Sequence, residues 1–328
     1  MNIDAIFKSF TTKNVLIVGD VMIDRYWYGK VDRISPEAPV PIVEFQKSED
    51  RLGGAANVAL NVKALGATPY LFSILGKDTE GDDFENIMLR NQLSTEGLVY
   101  STERKTTVKT RIIAGTQQML RVDSEITHDI SEADCHFFVK KIKDFMDKTP
   151  IDVIVLQDYN KGVLSALGID SVMKLAQKHQ IPTVVDPKKK NFLAYKGITL
   201  FKPNLKEIRE AVPFEVKPTV ESLQKATDYL RTHIGQQQTM ITLSEKGLYL
   251  EQNKKGGEIY PTHARNIADV SGAGDTVVSI AALSLAALLQ KDMVALLSNL
   301  AGGQVCETAG VVPINLEQLK AEIKEFIK

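Results

Sequence analysis

The chain has 328 residues, 44% apolar and 25% charged, as in an ordinary soluble globular protein of one large or two medium domains. A formal net charge of −1 leaves no electrostatic case for nucleic acid as a partner, and the N-terminus lacks the unbroken apolar core of a secretion signal. Two cysteines, Cys135 and Cys306, stand far apart with no metal or disulfide spacing, which points to a reducing cytoplasm.

The first element is the run Val15-Leu16-Ile17-Val18, closed by Gly19-Asp20, which reads as a strand buried on both faces. Residues 24–50 follow, with Pro36, Pro39 and Pro41 and an alternating piece at 40–45 that suggests a strand with one wet face. Gly53-Gly54 opens a helical pattern over 55–65. A second apolar strand covers 70–75, and 106–123 alternates again around a turn at Gly115. Beyond it, helical patterns at 133–146, 169–179 and 220–233 interleave with strands at 153–156, 183–185, 199–201 and 239–243. The apolar run 277–289 is too short to span a bilayer and reads as a buried helix, so no membrane partner is expected. Asn315 caps a last amphipathic helix that carries Leu319 and Ile323 and looks structural.

This alternation predicts an α/β fold, a three-layer sandwich with a mostly parallel central sheet and helices on both faces, in one domain over 1–328. Five strands end in polar or glycine residues: Gly19-Asp20, Gln157-Asp158, Asp186-Pro187, Lys202-Pro203-Asn204 and Ser244-Glu245. Ligands bind at the carboxyl ends of strands in such sheets, so these ends offer chemistry on one rim. The two alternating insertions, at about 25–50 and 104–125, are expected to pair into a small β-sheet lid over that rim. Apolar surface left on such a lid predicts a homodimer contact.

Two glycine turns open helices. Gly272-Ala273-Gly274 precedes Asp275 and the apolar run, and Gly53-Gly54-Ala55-Ala56 precedes Asn57. Each alone is most simply a loop–helix junction, but free N–H groups at a helix start also favour an anion, and glycine lets a ligand approach. Neither a dinucleotide fingerprint nor a P-loop string is present. Asn204 with Glu207 has capping-box spacing; the alternative is that both hold waters of a magnesium ion. Lys161 and Lys188 lie just past strand ends, and Lys109, Arg111 and Arg121 lie in the lid segment, each a solvated charge or a point charge for phosphate. The five histidines, His263 among them, form no ligand set or triad.

Gly53-Gly54-Ala55-Ala56-Asn57 and Asp269-Val270-Ser271-Gly272-Ala273-Gly274-Asp275-Thr276 resemble the two signatures of the ribokinase-like (PfkB) carbohydrate kinases. Within that superfamily, four further strings resemble the kinase domain of the ADP-heptose synthesis enzymes. They are Gly19-Asp20-Val21-Met22-Ile23-Asp24-Arg25, Arg33-Ile34-Ser35-Pro36-Glu37-Ala38-Pro39-Val40-Pro41, Lys202-Pro203-Asn204-Leu205-Lys206-Glu207 and Thr242-Leu243-Ser244-Glu245-Lys246-Gly247. Those enzymes phosphorylate D-glycero-β-D-manno-heptose 7-phosphate at O1, and the resemblance runs over nearly the whole chain.

By position, the resemblance implies Asp275 as catalytic base and Gly272, Ala273 and Gly274 as an anion hole. It implies Asn204, Leu205, Lys206 and Glu207 at the ATP and Mg²⁺ site, with Ser244, Gly247 and Asn299 near the adenine. Asp20, Asp24, Gly53, Gly54 and Asn57 would hold sugar hydroxyls, Lys109, Arg111 and Lys161 the sugar phosphate, and Asp269 a potassium ion. Many such kinases are fused to a nucleotidyltransferase with a His-x-Gly-His string, which this sequence lacks, so a separate nucleotidyltransferase is expected. The rival readings are another sugar or nucleoside kinase of the superfamily, or a non-catalytic sugar sensor on the same fold. The helix start and anion hole are expected to lower the pKa of Asp275.

Overall fold

A computed structural model describes residues 3–252, 256–262 and 265–326. His263 lies outside the described residues. In chain order the strands are β1 (Asn14–Gly19), β2 (Val21–Ile34), β3 (Pro41–Gly54), β4 (Thr68–Gly76), β5 (Leu98–Ser101), β6 (Val108–Ala114), β7 (Gln117–Ser124), β8 (Val153–Gln157), β9 (Thr183–Asp186), β10 (Leu200–Phe201), β11 (Gln238–Thr242), β12 (Leu248–Gln252) and β13 (Gly257–Tyr260). The α-helices are α1 (Ile3–Phe10), α2 (Ala55–Ala64), α3 (Thr79–Arg90), α4 (Glu132–Met146), α5 (Ala166–Lys178), α6 (Leu205–Ala211), α7 (Val220–Ile234), α8 (Ala273–Ala286), α9 (Lys291–Cys306) and α10 (Leu316–Phe326).

Nine strands form the central sheet in the order β13-β12-β11-β10-β9-β8-β1-β4-β5, parallel except for the antiparallel β11-β12-β13 edge. The apolar runs behave as strands buried on both faces must. Val15 and Ile17 of β1 and Val153 and Val155 of β8 join one core, with α2, α8, α9 and α10. Their alternate neighbours Leu16, Val18, Ile154 and Leu156 join the other, with α4, α5 and α7. The expected three layers are therefore present. Because β1, β8, β9, β10 and β11 are parallel neighbours, the five polar strand ends do fall on one rim.

The two insertions form a separate four-stranded sheet, β3-β2-β6-β7. It is antiparallel except where β2 and β6 run parallel. Only Asp20 separates β1 from β2, and β3 runs straight into α2. The β2–β3 pair of this sheet, the expected lid, is thus tied at both ends to elements of the rim.

Candidate active site

Asp275 lies in the first turn of α8, 3% exposed, and three side chains donate to it. Asn57 Nδ2, from the first turn of α2, reaches Oδ2 at 2.8 Å. Gln157 Nε2, at the end of β8, and the Tyr159 hydroxyl reach Oδ1 at 3.0 and 2.7 Å. Loss of hydration nevertheless dominates and pushes the carboxyl up to about 6; Asn57 and Tyr159 pull it down, and nearby Asp186 adds to the rise. The carboxyl thus stands above the ordinary aspartate value, opposite to the lowering expected of the helix start, with burial as the largest cause.

Gly272 turns into α8 with φ +83°, a left-handed conformation that glycine adopts without strain. A Cβ there would also sit 2.9 Å from Asn57 Nδ2, so the two glycine signatures meet at Asn57 and Asp275. Beside Gly274 lies a buried ion pair: Lys202 Nζ, just past β10, is 3.1 Å from Asp186 Oδ2 at the end of β9. Gln157 Nε2 also reaches that Asp186 oxygen at 3.2 Å, and among the described residues Gln157 Oε1 has no hydrogen-bond partner.

A cleft of about 720 Å³ opens on one side of this turn. Ala273, Gly274, Ser244, Gly247 and Asn299 all line it, with Leu248, Val277 and Arg265. The structure thus brings Ala273 and Gly274 of the expected turn and the expected Ser244, Gly247 and Asn299 into one cavity. Asn299 donates to the carbonyls of Tyr260 and Pro261 on its wall.

Asn204 and Glu207 form a full capping box on α6, with Glu207 N donating to Asn204 Oδ1 at 2.9 Å and Asn204 N to Glu207 Oε2 at 2.8 Å. Glu207 Oε1 pairs with Lys188, whose ammonium also lies over the Tyr159 ring. Burial acts to lower the Lys188 pKa, yet Asp186 and Glu207 hold it above the usual lysine value. A carboxylate offers about four lone-pair sites, so Glu207 keeps room to hold a metal-bound water. Leu205 and Lys206 belong to the same helix start. Asp269 accepts from Ser271 N and Oγ and from Gly310 N.

On the lid side of Asp275, Asp24 is buried and paired with Arg111. Gly53 packs so close that a Cβ would fall 2.2 Å from Asp24 Oδ2. Gly54 turns at φ +63° against the Asp20 carbonyl. Lys109 and Lys161 converge on Glu125. Asp20 is turned inward: its carboxylate accepts from the backbone N–H groups of Tyr159, Lys161 and Val163 at 2.8, 3.0 and 3.0 Å. It fastens the 158–163 loop from within, which differs from the expected contact with sugar hydroxyls. Buried Asp158 beside it is pushed up to about 6, by burial first and the Asp20 charge second.

Of the residues of this site, the sequence marks Gln157, Asp186 and Lys202 only as polar strand ends and does not mark Tyr159. Their signal was present, since each is at or within two residues of a parallel strand's end. What singles them out is cross-strand proximity, which no local pattern encodes.

The sequence profile of the pfkB family carbohydrate kinases matches residues 12–318. The D-beta-D-heptose 7-phosphate kinase of Bordetella bronchiseptica is 40% identical over 308 residues, 94% of this chain and 95% of that protein. The bifunctional protein HldE of Desulfatibacillum aliphaticivorans is 38% identical over 318 residues, 96% of this chain, and this chain spans 64% of its length. Among solved structures, phosphofructokinase-2 from Escherichia coli in complex with potassium has a TM-score of 0.80 at 16% identity, covering 96% of this chain and 99% of that one. Arabidopsis thaliana ribokinase complexed with ribose and ATP has a TM-score of 0.72 at 16% identity, over 94% and 99%. These two share the fold. With the profile spanning most of its length and the Bordetella kinase aligned nearly end to end, the chain belongs to the pfkB family of carbohydrate kinases.

Proposed function

We propose that the chain transfers the γ-phosphoryl group of ATP to O1 of D-glycero-β-D-manno-heptose 7-phosphate, giving the 1,7-bisphosphate for ADP-heptose and lipopolysaccharide synthesis in the cytoplasm. The observation that carries this reading is the near end-to-end alignment with a relative named D-beta-D-heptose 7-phosphate kinase. The site supplies the chemistry. ATP lies in the 720 Å³ cleft with its adenine by Ser244, Gly247 and Asn299. The Gly272-Ala273-Gly274 turn at the start of α8 would receive the transferring phosphoryl group, with the Lys202 ammonium beside Gly274. Asp275 accepts the proton of the anomeric hydroxyl, which Asn57 and Asp24 help orient. Phosphoryl transfer has a loose transition state, so positioning counts for more than the strength of the base.

Asn204 and Glu207 would hold Mg²⁺ through water, where the ion would offset charge on the phosphates. Asp269 keeps a lone pair for K⁺. Lys109, Arg111 and Lys161 belong to the sugar-phosphate side. The lid exposes Trp27, Phe45, Leu120 and Val122, and the proposal has it dimerise there. A nucleotidyltransferase acting on the 1-phosphate completes the proposal. A coupled ADP-release screen over phosphorylated and plain sugars tests the reading. Heptose 7-phosphate is expected to give the highest kcat/KM; a plain sugar or a nucleoside in that place contradicts it.

A further inference from the structure

The proposed function leaves Glu125 without a role, although it sits where the substrate's phosphate is expected. It follows β7 and reaches two lysines from different parts of the fold. Lys109 Nζ, from β6 in the lid, is 3.0 Å from Oε2. Lys161 Nζ, from the loop after β8, is 2.7 Å from Oε1. Both lysine side chains are 14% exposed and Glu125 is 22% exposed, so the triad is largely withdrawn from water. Burial works against the charged carboxylate, yet Lys161 and Lys109 keep the Glu125 pKa below its usual value. Lys109 has a second partner, Asp123 at 2.8 Å. For Lys161, Glu125 is the ion-pair partner found among the described residues.

The loop bearing Lys161 is tied to the site by hydrogen bonds. Asp20 holds three of its N–H groups, and Arg104 donates to the Lys161 carbonyl. Tyr159 in the same loop touches Asp275. On the lid side, Lys109 pairs in register with Asp24, and Arg111 two residues on binds the Asp24 carboxylate. The lysine pair is thus held between the lid and the Tyr159 loop, and neither lysine lines the nucleotide cleft. A carboxylate bridging two ammoniums presents two acceptor oxygens and one charge. A phosphate monoester presents three oxygens and up to two charges, and competes for the same pair.

We infer that Glu125 is a built-in stand-in for the sugar phosphate: it occupies the Lys109–Lys161 pair and is displaced when a phosphorylated substrate binds. The inference rests on the phosphorylated-sugar reading and assigns Glu125 as the residue that sets how strongly the phosphate counts. A plain sugar leaves the bridge in place and gains nothing from the two lysines. A phosphorylated sugar takes both ammoniums but must first break two ion pairs, so Glu125 holds its affinity down.

Inorganic phosphate is titrated calorimetrically into the full chain with a saturating non-hydrolysable ATP analogue and Mg²⁺, which fill the γ-phosphoryl place. Glu125→Gln, which keeps the shape and removes the charge, is expected to bind phosphate about three- to tenfold more tightly than wild type, the range set by a partly exposed ion pair. Glu125→Ala should move the same way, and Lys161→Met should bind more weakly. Equal or weaker binding in both Glu125 variants, or none measurable, overturns the inference and makes Glu125 a brace that orients the lysines. The KM for heptose 7-phosphate should fall in Glu125→Gln by a similar factor. If wild type does not turn over that sugar, the proposed substrate fails, while the phosphate titration still reads the anion site.

Discussion

Burial and hydrogen bonding pull the acidity of Asp275 in opposite directions. Full desolvation raises the carboxyl pKa to about 6, against donors from Asn57 and Tyr159 that favour the charged form. The helix start was legible in Gly272-Ala273-Gly274, and it suggested a lowered value. The depth of burial was not legible, because it depends on α2 and the end of β8 closing over the carboxylate from far along the chain. A base must be deprotonated to act, so kcat/KM should be flat above its pKa and fall as pH drops through about 6, the value for Asp275 in the free enzyme. A pH profile checks this. An acid limb near the ordinary aspartate value would mean that burial has been overweighed.

At the scale of elements, the two glycine turns are the joints at which helices meet the rim. Gly53 is the more constrained by packing, since its absent Cβ leaves room for the Asp24 carboxylate. Gly53→Ala is expected to displace Asp24 and its partner Arg111, raising KM for the sugar more than for ATP. Overpacking of this kind also costs about 1–3 kcal/mol, to be seen as a lower melting temperature. Unchanged sugar KM would remove Asp24 from the substrate side. The strands buried on both faces were readable because continuous apolar runs such as 15–18 admit little else. The lid strands were readable because they alternate. Helix α9 was missed because it is apolar nearly all round and carries Gly302-Gly303, so no amphipathic period marks it. The β12–β13 edge pair was missed because Glu251 and Gln252 break off the apolar run Leu248-Tyr249-Leu250.

At the scale of the whole molecule, the small sheet joins the central layers through the β1–β2 and β3–α2 junctions, and it exposes several large apolar side chains. Trp27 and Phe45 stack edge to face, with ring centroids 6.2 Å apart, and are 41% and 60% exposed. Covering such half-exposed side chains gains about 1 kcal/mol each, which favours pairing of lids. Wild type is expected to sediment as a dimer and Phe45→Asp as a monomer; a monomeric wild type rules out the lid contact. The catalytic expectations depend on one centre, the aspartate where the two glycine turns meet. The most direct measurement is therefore kcat for Asp275→Asn with heptose 7-phosphate, alongside ATP affinity by calorimetry. The account expects kcat to fall by roughly 10²-fold or more, the loss of a general base, with ATP binding retained. Near-normal turnover in that variant would contradict it.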